Sequence, residues 1–163
     1  MKIYSAAIIG LGPSGLAVNK LIYNNQDNEI IAFEKTNIEK RNNFFGFWLT
    51  EWMMPFEKLI EKKWNNWVIS DVNSEVTHCD KKYPYCVISF KKWKDYCLNT
   101  NNKLEVINET VTKYYSKKNY FEIVTKDNKK YFARKVYDSR YNKEKKNELI
   151  QHFFGINILT TNN

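Results

Sequence analysis

The feature that most constrains the fold is a glycine-spaced hexapeptide placed where one hydrophobic period gives way to another. Residues 2–9, KIYSAAII, form a short apolar run of β type that ends abruptly at Gly10, Leu11, Gly12, Pro13, Ser14 and Gly15. From Ser14 to Tyr23 the spacing turns helical, with Leu16, Ala17, Leu21 and Ile22 recurring along one side until a polar stretch stops them. EIIAFE, residues 29–34, then reads as a second buried strand. Strand, G-x-G-x-x-G turn, helix and strand make a βαβ unit of about 30 residues. Each glycine has its own task. The first permits the tight turn, the second lets the backbone approach a pyrophosphate, and the third lets the helix pack close to the strand. The helix start adds free N–H groups and the positive end of its dipole. Glu34 closes the second strand, where its carboxylate can accept both hydroxyl protons of an adenosine ribose. The unit is read as a dinucleotide site with Gly10, Leu11, Gly12, Pro13, Ser14, Gly15, Glu34 and Lys35 as candidate residues. A carboxylate at position 34 repels a 2′-phosphate, which disfavours NADP. The glycines alone leave NAD and FAD open.

Beyond this unit, residues 35–48 are polar and then aromatic and read as a connection. Pro55 is placed to open a helix in which Phe56, Leu59, Ile60, Trp64 and Trp67 would share one face. Short strands are expected from Val68 to Ile88. A second helix is expected from Phe90 to Leu98, with Ser89 as N-cap and Phe90, Trp93 and Cys97 on one side. From Leu104 the period becomes two, and LEVINETVTKYY, NYFEIVTK and KKYFARKVYD read as consecutive antiparallel strands, with Asp127 and Asn128 in a hairpin turn. A β-meander following an opening βαβ unit is similar to that of the glutathione-reductase-like class of FAD domains. That resemblance favours FAD over NAD. The expected fold is therefore α/β, a Rossmann-like FAD/NAD(P)-binding fold of that class, apparently truncated. Residues 1–140 would form the FAD-binding domain, and residues 141–163 the start of a substrate domain.

Composition narrows the functional classes. Gly and Pro are few, and 16% of the 163 residues are aromatic, which excludes a linker or a disordered chain. The net charge of +8 comes with 23 Lys and only three Arg (Arg41, Arg134 and Arg140) alongside 21 Asn. This skew fits A- and T-rich coding better than a surface built to grip phosphates, which would use the bidentate fork of Arg. No nucleic-acid partner is expected, while the positive field leaves peripheral contact with an anionic membrane open. The apolar stretch from Ile3 to Tyr23 is interrupted by its glycines and by Pro13, and is no membrane span. Cys79, Cys86 and Cys97 are odd in number and lack a C-x-x-C pair, which suits a reducing, cytoplasmic setting. Together with His78 they fit no zinc spacing, so no metal site is expected. His152 has no nucleophile at a recognisable spacing and reads as structural.

Several segments carry a more specific likeness. RNNFFGFW (residues 41–48) resembles the N-x-T-W-x-F-W pattern of the bacterial lycopene cyclase family of flavoproteins, and YPYCVISFKKWKDYC resembles a further family segment. VYDSR (residues 136–140) and ELIQHFFG (residues 148–155) resemble the family's V-F-D-S-R followed by L-L-Q-H-F-x-G. Phe44 and Phe45 stand where Thr-Trp is usual, and Ile156 replaces a Trp. The likeness covers the opening portion of a family member. The family's acidic motif lies beyond residue 163, so no catalytic residue is assigned. The resemblance implies FAD binding and, in a complete enzyme, redox-neutral cyclisation of the ends of lycopene with reduced flavin. It implies a carotenoid or another apolar small molecule as substrate, and a carboxy-terminal half supplied elsewhere. It also places Asp138 and Ser139 near the adenosine portion of the cofactor, with a strand-ending turn as the equal alternative, and makes Val111 a backbone contact to adenine. Phe47, Trp48 and Trp52 are either walls of a substrate site or ordinary core, with core packing preferred. Two rivals stand beside this reading: another FAD-dependent oxidoreductase of hydroxylase or prenyl-reductase type, and a non-enzymatic basic remnant binding an acidic partner or membrane surface. Phe153, Phe154, Ile156 and Ile158 are expected to leave an apolar edge that promotes association.

Overall fold

The opening unit forms as its periods require, with β1 (Ala6–Ile9), α1 (Pro13–Ile22) and β2 (Ile30–Phe33) in order. The computed structural model describes residues 1–23, 28–99 and 103–140. Every residue of β1 and β2 is buried. A parallel strand covered on both faces must be apolar at consecutive positions, which is why these runs do not alternate. The chain continues through β3 (Phe44–Trp48), β4 (Lys62–Trp64), β5 (Asn66–Ser70), β6 (Glu75–Cys79), β7 (Tyr85–Ser89) and α2 (Phe90–Leu98). It closes with β8 (Leu104–Ile107), β9 (Val111–Ser116), β10 (Phe121–Thr125), β11 (Lys130–Ala133) and β12 (Val136–Asp138).

The central sheet is parallel, in the order β12-β1-β2-β8. Alternate residues of its two middle strands supply separate cores. Ile8, Ile30 and Ala32 pack beneath α1 and α2 with Leu16, Phe90 and Trp93, whereas Ala7, Ile9, Ile31 and Phe33 pack beneath the β9–β11 meander with Val111 and Ile123. The register aligns Asp138, Ile9, Phe33 and Ile107 in one row. Whatever follows each strand therefore opens onto one crevice at the carboxyl edge, the usual place for a ligand in an open α/β sheet.

Several local expectations hold. Asn128 takes the hairpin turn between β10 and β11 with φ of 60°, and Ser89 Oγ caps α2 by accepting from the Lys92 N–H at 3.3 Å. Others do not. The helix from Phe56 to Trp67 does not form. Glu51–Leu59 winds as a 3-10 segment with Pro55 inside it, after which Lys62–Trp64 pairs antiparallel with β7 and Asn66–Ser70 with β6. Trp64 lies against Tyr85 and Trp67 stacks on His78 at 4.4 Å, cross-sheet aromatic contacts that a helix would forfeit. The connection over residues 35–48 contains β3, which pairs along its whole length with β7. The period-two tract holds five strands where three were expected: β8 and β12 join the parallel sheet, and β9–β11 alone make the meander. Non-strand residues at 108–110 and 134–135 are where the chain passes between the two sheets.

Residues 141–163, including His152, the ELIQHFFG likeness and the expected apolar edge, lie outside the described residues. Among the described residues no helix is long and apolar enough to cross a membrane.

Candidate functional site

The crevice at the carboxyl edge is shaped by its glycines. Gly10 has φ of 90°, a conformation that side-chain-bearing residues rarely adopt, and its N–H donates to the Phe33 carbonyl at 2.8 Å. Ser139, directly after β12, pins this turn from the other side. Its N–H donates to the Ile9 carbonyl at 3.0 Å, and its hydroxyl lies 2.9 Å from that oxygen and 3.0 Å from the Gly10 carbonyl. At Gly15 an added Cβ would sit 1.9 Å from the Gly10 carbonyl oxygen, so the approach of α1 to the turn requires glycine. An added Cβ at Gly12 would meet nothing within 4 Å, so its Cα faces open space. The first turn of α1 carries no side-chain cap and no acidic residue. Its free N–H groups and dipole end therefore remain available to an anion.

Glu34 directly follows β2 and is 4% exposed. Its backbone N–H donates to the Ile107 carbonyl at 3.0 Å, which fixes where the side chain leaves the sheet. Oε2 accepts from the Leu11 N–H at 2.9 Å, while Oε1 accepts from the Thr36 N–H at 3.2 Å and its hydroxyl at 3.1 Å, and pairs with Arg41 Nη2 at 2.8 Å. Burial pushes the carboxyl up, but the Leu11 and Thr36 N–H donors and the Arg41 cation outweigh it and hold Glu34 below its ordinary value.

Six of the sequence-predicted residues, Gly10, Gly12, Glu34, Lys35, Val111 and Ser139, line one cleft of about 360 Å³. Leu11 is fully buried and reaches the site through its backbone, its N–H donating to Glu34 and its carbonyl facing Arg41. Gly15 lies beneath the turn, and Asp138 stands beside the cleft, paired with Arg140 at 2.7 Å. Burial raises the Asp138 carboxyl, and the Arg140 bonds bring it below its usual range. Pro13 and Ser14 face the other way, into a separate groove of about 620 Å³ walled by Phe45, Trp52, Phe56, Trp93 and Tyr96. Trp93 Nε1 donates to the Pro13 carbonyl at 3.0 Å, tying that groove to the glycine turn.

Sequence reasoning missed Arg41, Glu109, Thr110 and Arg140, which also line the cleft. Two of them were discoverable, because Arg41 and Arg140 are two of three arginines in a chain that otherwise uses lysine. Arg140 Nη1 donates to the Val111 carbonyl at 2.6 Å, so it joins the end of β12 to the start of the meander. Of the three aromatic residues weighed as walls, Trp52 reaches the groove. Phe47 packs against the core, and Trp48 lies with Trp67 and Tyr85. Among the described residues no three His, Cys, Asp or Glu side chains gather as metal ligands.

A parallel sheet with a glycine turn at its crevice and a meander on one face is the Rossmann-like FAD-binding fold seen in FAD-dependent oxidoreductases. The chain belongs to the lycopene cyclase family, whose description, lycopene cyclase protein, matches residues 6–163. Among solved structures the chain is similar to p-nitrophenol 4-monooxygenase PnpA from Pseudomonas putida, at 12% identity and a TM-score of 0.60 over 83% of this chain and 40% of that one. It is also similar to CtdE in complex with FAD and a substrate, at 18% identity and a TM-score of 0.57 over 83% of this chain and 37% of that one. NikD, an unusual amino acid oxidase, matches at 13% identity and a TM-score of 0.59 over 85% of this chain and 51% of its own. The chain thus spans between 37% and 51% of the length of these structures. No curated protein sequence matches it.

Proposed function

We propose that the cleft binds FAD and that the chain is the FAD-binding portion of a lycopene cyclase-type flavoprotein acting on a carotenoid or a similar apolar molecule. The observation that carries this reading is the pairing, in one crevice, of an open glycine face over an uncapped helix start with a buried, ionised carboxylate. The first end suits a pyrophosphate and the second an adenosine ribose. Gly10, Gly12 and the first turn of α1 would hold the pyrophosphate, and Glu34 the ribose. Lys35, Val111, Asp138 and Ser139 would surround the rest of the adenosine portion.

Bound and reduced, the flavin would supply negative charge beside a carbocationic cyclisation, which further needs a proton donor and apolar walls. The chain's own contribution to such chemistry is shielding. The aromatic groove shares Pro13 and Ser14 with the glycine motif, so an apolar ligand lying there would be next to the cofactor turn and screened from water by Phe45, Trp52, Phe56 and Trp93. No described residue is assigned the role of proton donor.

The test is an FAD titration of the 163-residue chain, followed by flavin fluorescence, with Gly12→Trp and Glu34→Arg as controls. Saturable binding that both variants abolish is the expected result. A chain that is folded by circular dichroism and does not bind FAD overturns the reading and favours a non-enzymatic remnant. NAD(P)H oxidation with FAD bound and no carotenoid turnover in the completed protein would select a hydroxylase or prenyl-reductase type.

A further inference from the structure

One cation in the cleft has no part in the dinucleotide motif. Arg41 leaves the chain directly after a short 3-10 turn, Ile38–Lys40, which Asn37 caps by accepting from the Glu39 N–H at 2.9 Å. Ile38 is buried in the core beneath the helices, which fixes the direction of that exit. The guanidinium rests over the ring of Phe90, 5.2 Å from its centroid, and Phe90 is itself 1% exposed at the head of α2. From that seat Nη2 reaches Glu34 Oε1 at 2.8 Å and Thr36 Oγ1 at 3.0 Å, while Nη1 reaches the Leu11 carbonyl at 3.4 Å. Arg41 therefore ties the glycine turn to the end of β2 across the floor of the cleft.

The two carboxylate oxygens of Glu34 are loaded unequally. Oε1 takes the Thr36 N–H, the Thr36 hydroxyl and Arg41, whereas Oε2 takes the Leu11 N–H. A carboxylate oxygen offers about two acceptor sites, so Oε1 is full and Oε2 keeps one free. We propose that Arg41 is a positioning residue that reserves Oε1 for the protein, so that Glu34 receives one ribose hydroxyl, through Oε2. This rests on the FAD reading and departs from the expectation that the carboxylate takes both hydroxyls. The other charged groups lining the cleft are Lys35, Glu109 and Arg140, and the latter two are engaged by Lys129 and Asp138. Of the cleft's cations, Arg41 is the one in contact with Glu34. Lysine could replace its charge but not its planar fork.

The experiment measures displacement of FAD by ADP, 2′-deoxy-ADP and 3′-deoxy-ADP from the full chain, with Arg41→Lys, Arg41→Gln and Glu34→Gln beside it, over about pH 4 to 8. In the wild-type chain one deoxy analogue should lose about tenfold or more in affinity and the other should match ADP, since a lost hydrogen bond to a charged group costs that much. Arg41→Gln should move the acid limb of the binding profile to higher pH, because burial then acts on Glu34 with less opposition. Arg41→Lys should keep that limb near its wild-type position while blurring the difference between the deoxy analogues. Equal losses for both analogues in the wild type, or an Arg41→Gln profile that overlays it, overturn the proposal and leave FAD binding intact. Failure of the wild-type chain to bind FAD or ADP overturns both. Should Arg41→Gln not fold, the wild-type analogue series and Arg41→Lys still decide the matter.

Discussion

Replacing Gly15 with alanine puts a methyl group into the closest backbone approach in the site. The added Cβ would lie 1.9 Å from the Gly10 carbonyl oxygen, 3.0 Å from its carbon and 3.3 Å from Ile8 Cγ2. The oxygen cannot swing away cheaply, because it belongs to a turn held at φ of 90° and faces the Ser139 hydroxyl at 3.0 Å. Helix α1 must therefore back off the sheet by more than about 1 Å, and overpacking of this kind costs about 1–3 kcal/mol, the upper end applying when backbone must move. Alanine's better helix propensity returns about 1 kcal/mol at most. The net loss is about 2 kcal/mol, and in a chain of this size that lowers the melting temperature by about 4–8 °C. Gly12→Ala is the matched control. Its Cβ meets nothing within 4 Å, so its cost is limited to a poorer N-cap, less than about 1 kcal/mol. Thermal unfolding of the two variants without added cofactor makes the comparison. Gly15→Ala within about 0.5 kcal/mol of wild type, or Gly12→Ala as damaging as Gly15→Ala, would refute the geometric argument.

Acid should expose the part played by Glu34. Its folded pKa lies below the ordinary 4.5, so the stability it contributes is fully present above that pH and is lost as the pH falls through the folded value. The gap in unfolding free energy between wild type and Glu34→Gln should shrink in urea titrations taken from neutral pH to about pH 3, and a constant gap contradicts this. Thiol labelling of the native chain should modify Cys79 promptly and spare Cys86 and Cys97 until denaturant is added, since both are fully buried and burial pushes the Cys97 thiol up to about 12. Fast labelling of Cys86 would count against the packing of β7 on Leu49 and Met53, and fast labelling of Cys97 against the packing around α2. Ser139→Ala should cost about 1 kcal/mol through the lost hydrogen bond, and Gly10→Ala should remain destabilised in the Ser139→Ala background because its positive φ persists. An added Gly10 Cβ would also lie 2.6 Å from Ser139 Oγ, and equality of Gly10→Ala/Ser139→Ala with Ser139→Ala alone, read by chemical denaturation, would show that this contact and not φ sets the cost.

The opening unit was legible because both of its signals are local. The glycine spacing and the change from a strand run to a helical one specify β1, α1 and β2 without reference to the rest of the chain. The segment from Phe56 to Trp67 shows the opposite. Its apolar residues satisfy the helical period, yet Trp64 and Trp67 are used as strand residues against Tyr85 and His78, partners that no local period discloses. The tract from Leu104 to Asp138 alternates in the same way whether it pairs in a meander or in the parallel sheet. Pattern therefore revealed strands there but not that β8 and β12 leave the meander for the sheet. At the site, residues inside the motif could be named from spacing, while Arg41, Glu109 and Arg140 arrive from other elements and become neighbours only through the register of the four strands.

The hydroxyl of Ser139 meets the Ile9 carbonyl across 130 residues of chain. Bringing such distant points together requires closing a long loop, and contacts of that separation form after local ones have reduced its entropic cost. β1, α1 and β2 can assemble as a local unit, but the turn that would receive a pyrophosphate is locked only when β12 docks beside β1. Binding competence thus requires the completed four-stranded sheet and not the local unit alone. A ligand held there would stabilise the completed molecule by mass action, about 2.7 kcal/mol at a hundredfold excess over its dissociation constant. Cofactor occupancy would then report that the two ends of the described chain have met.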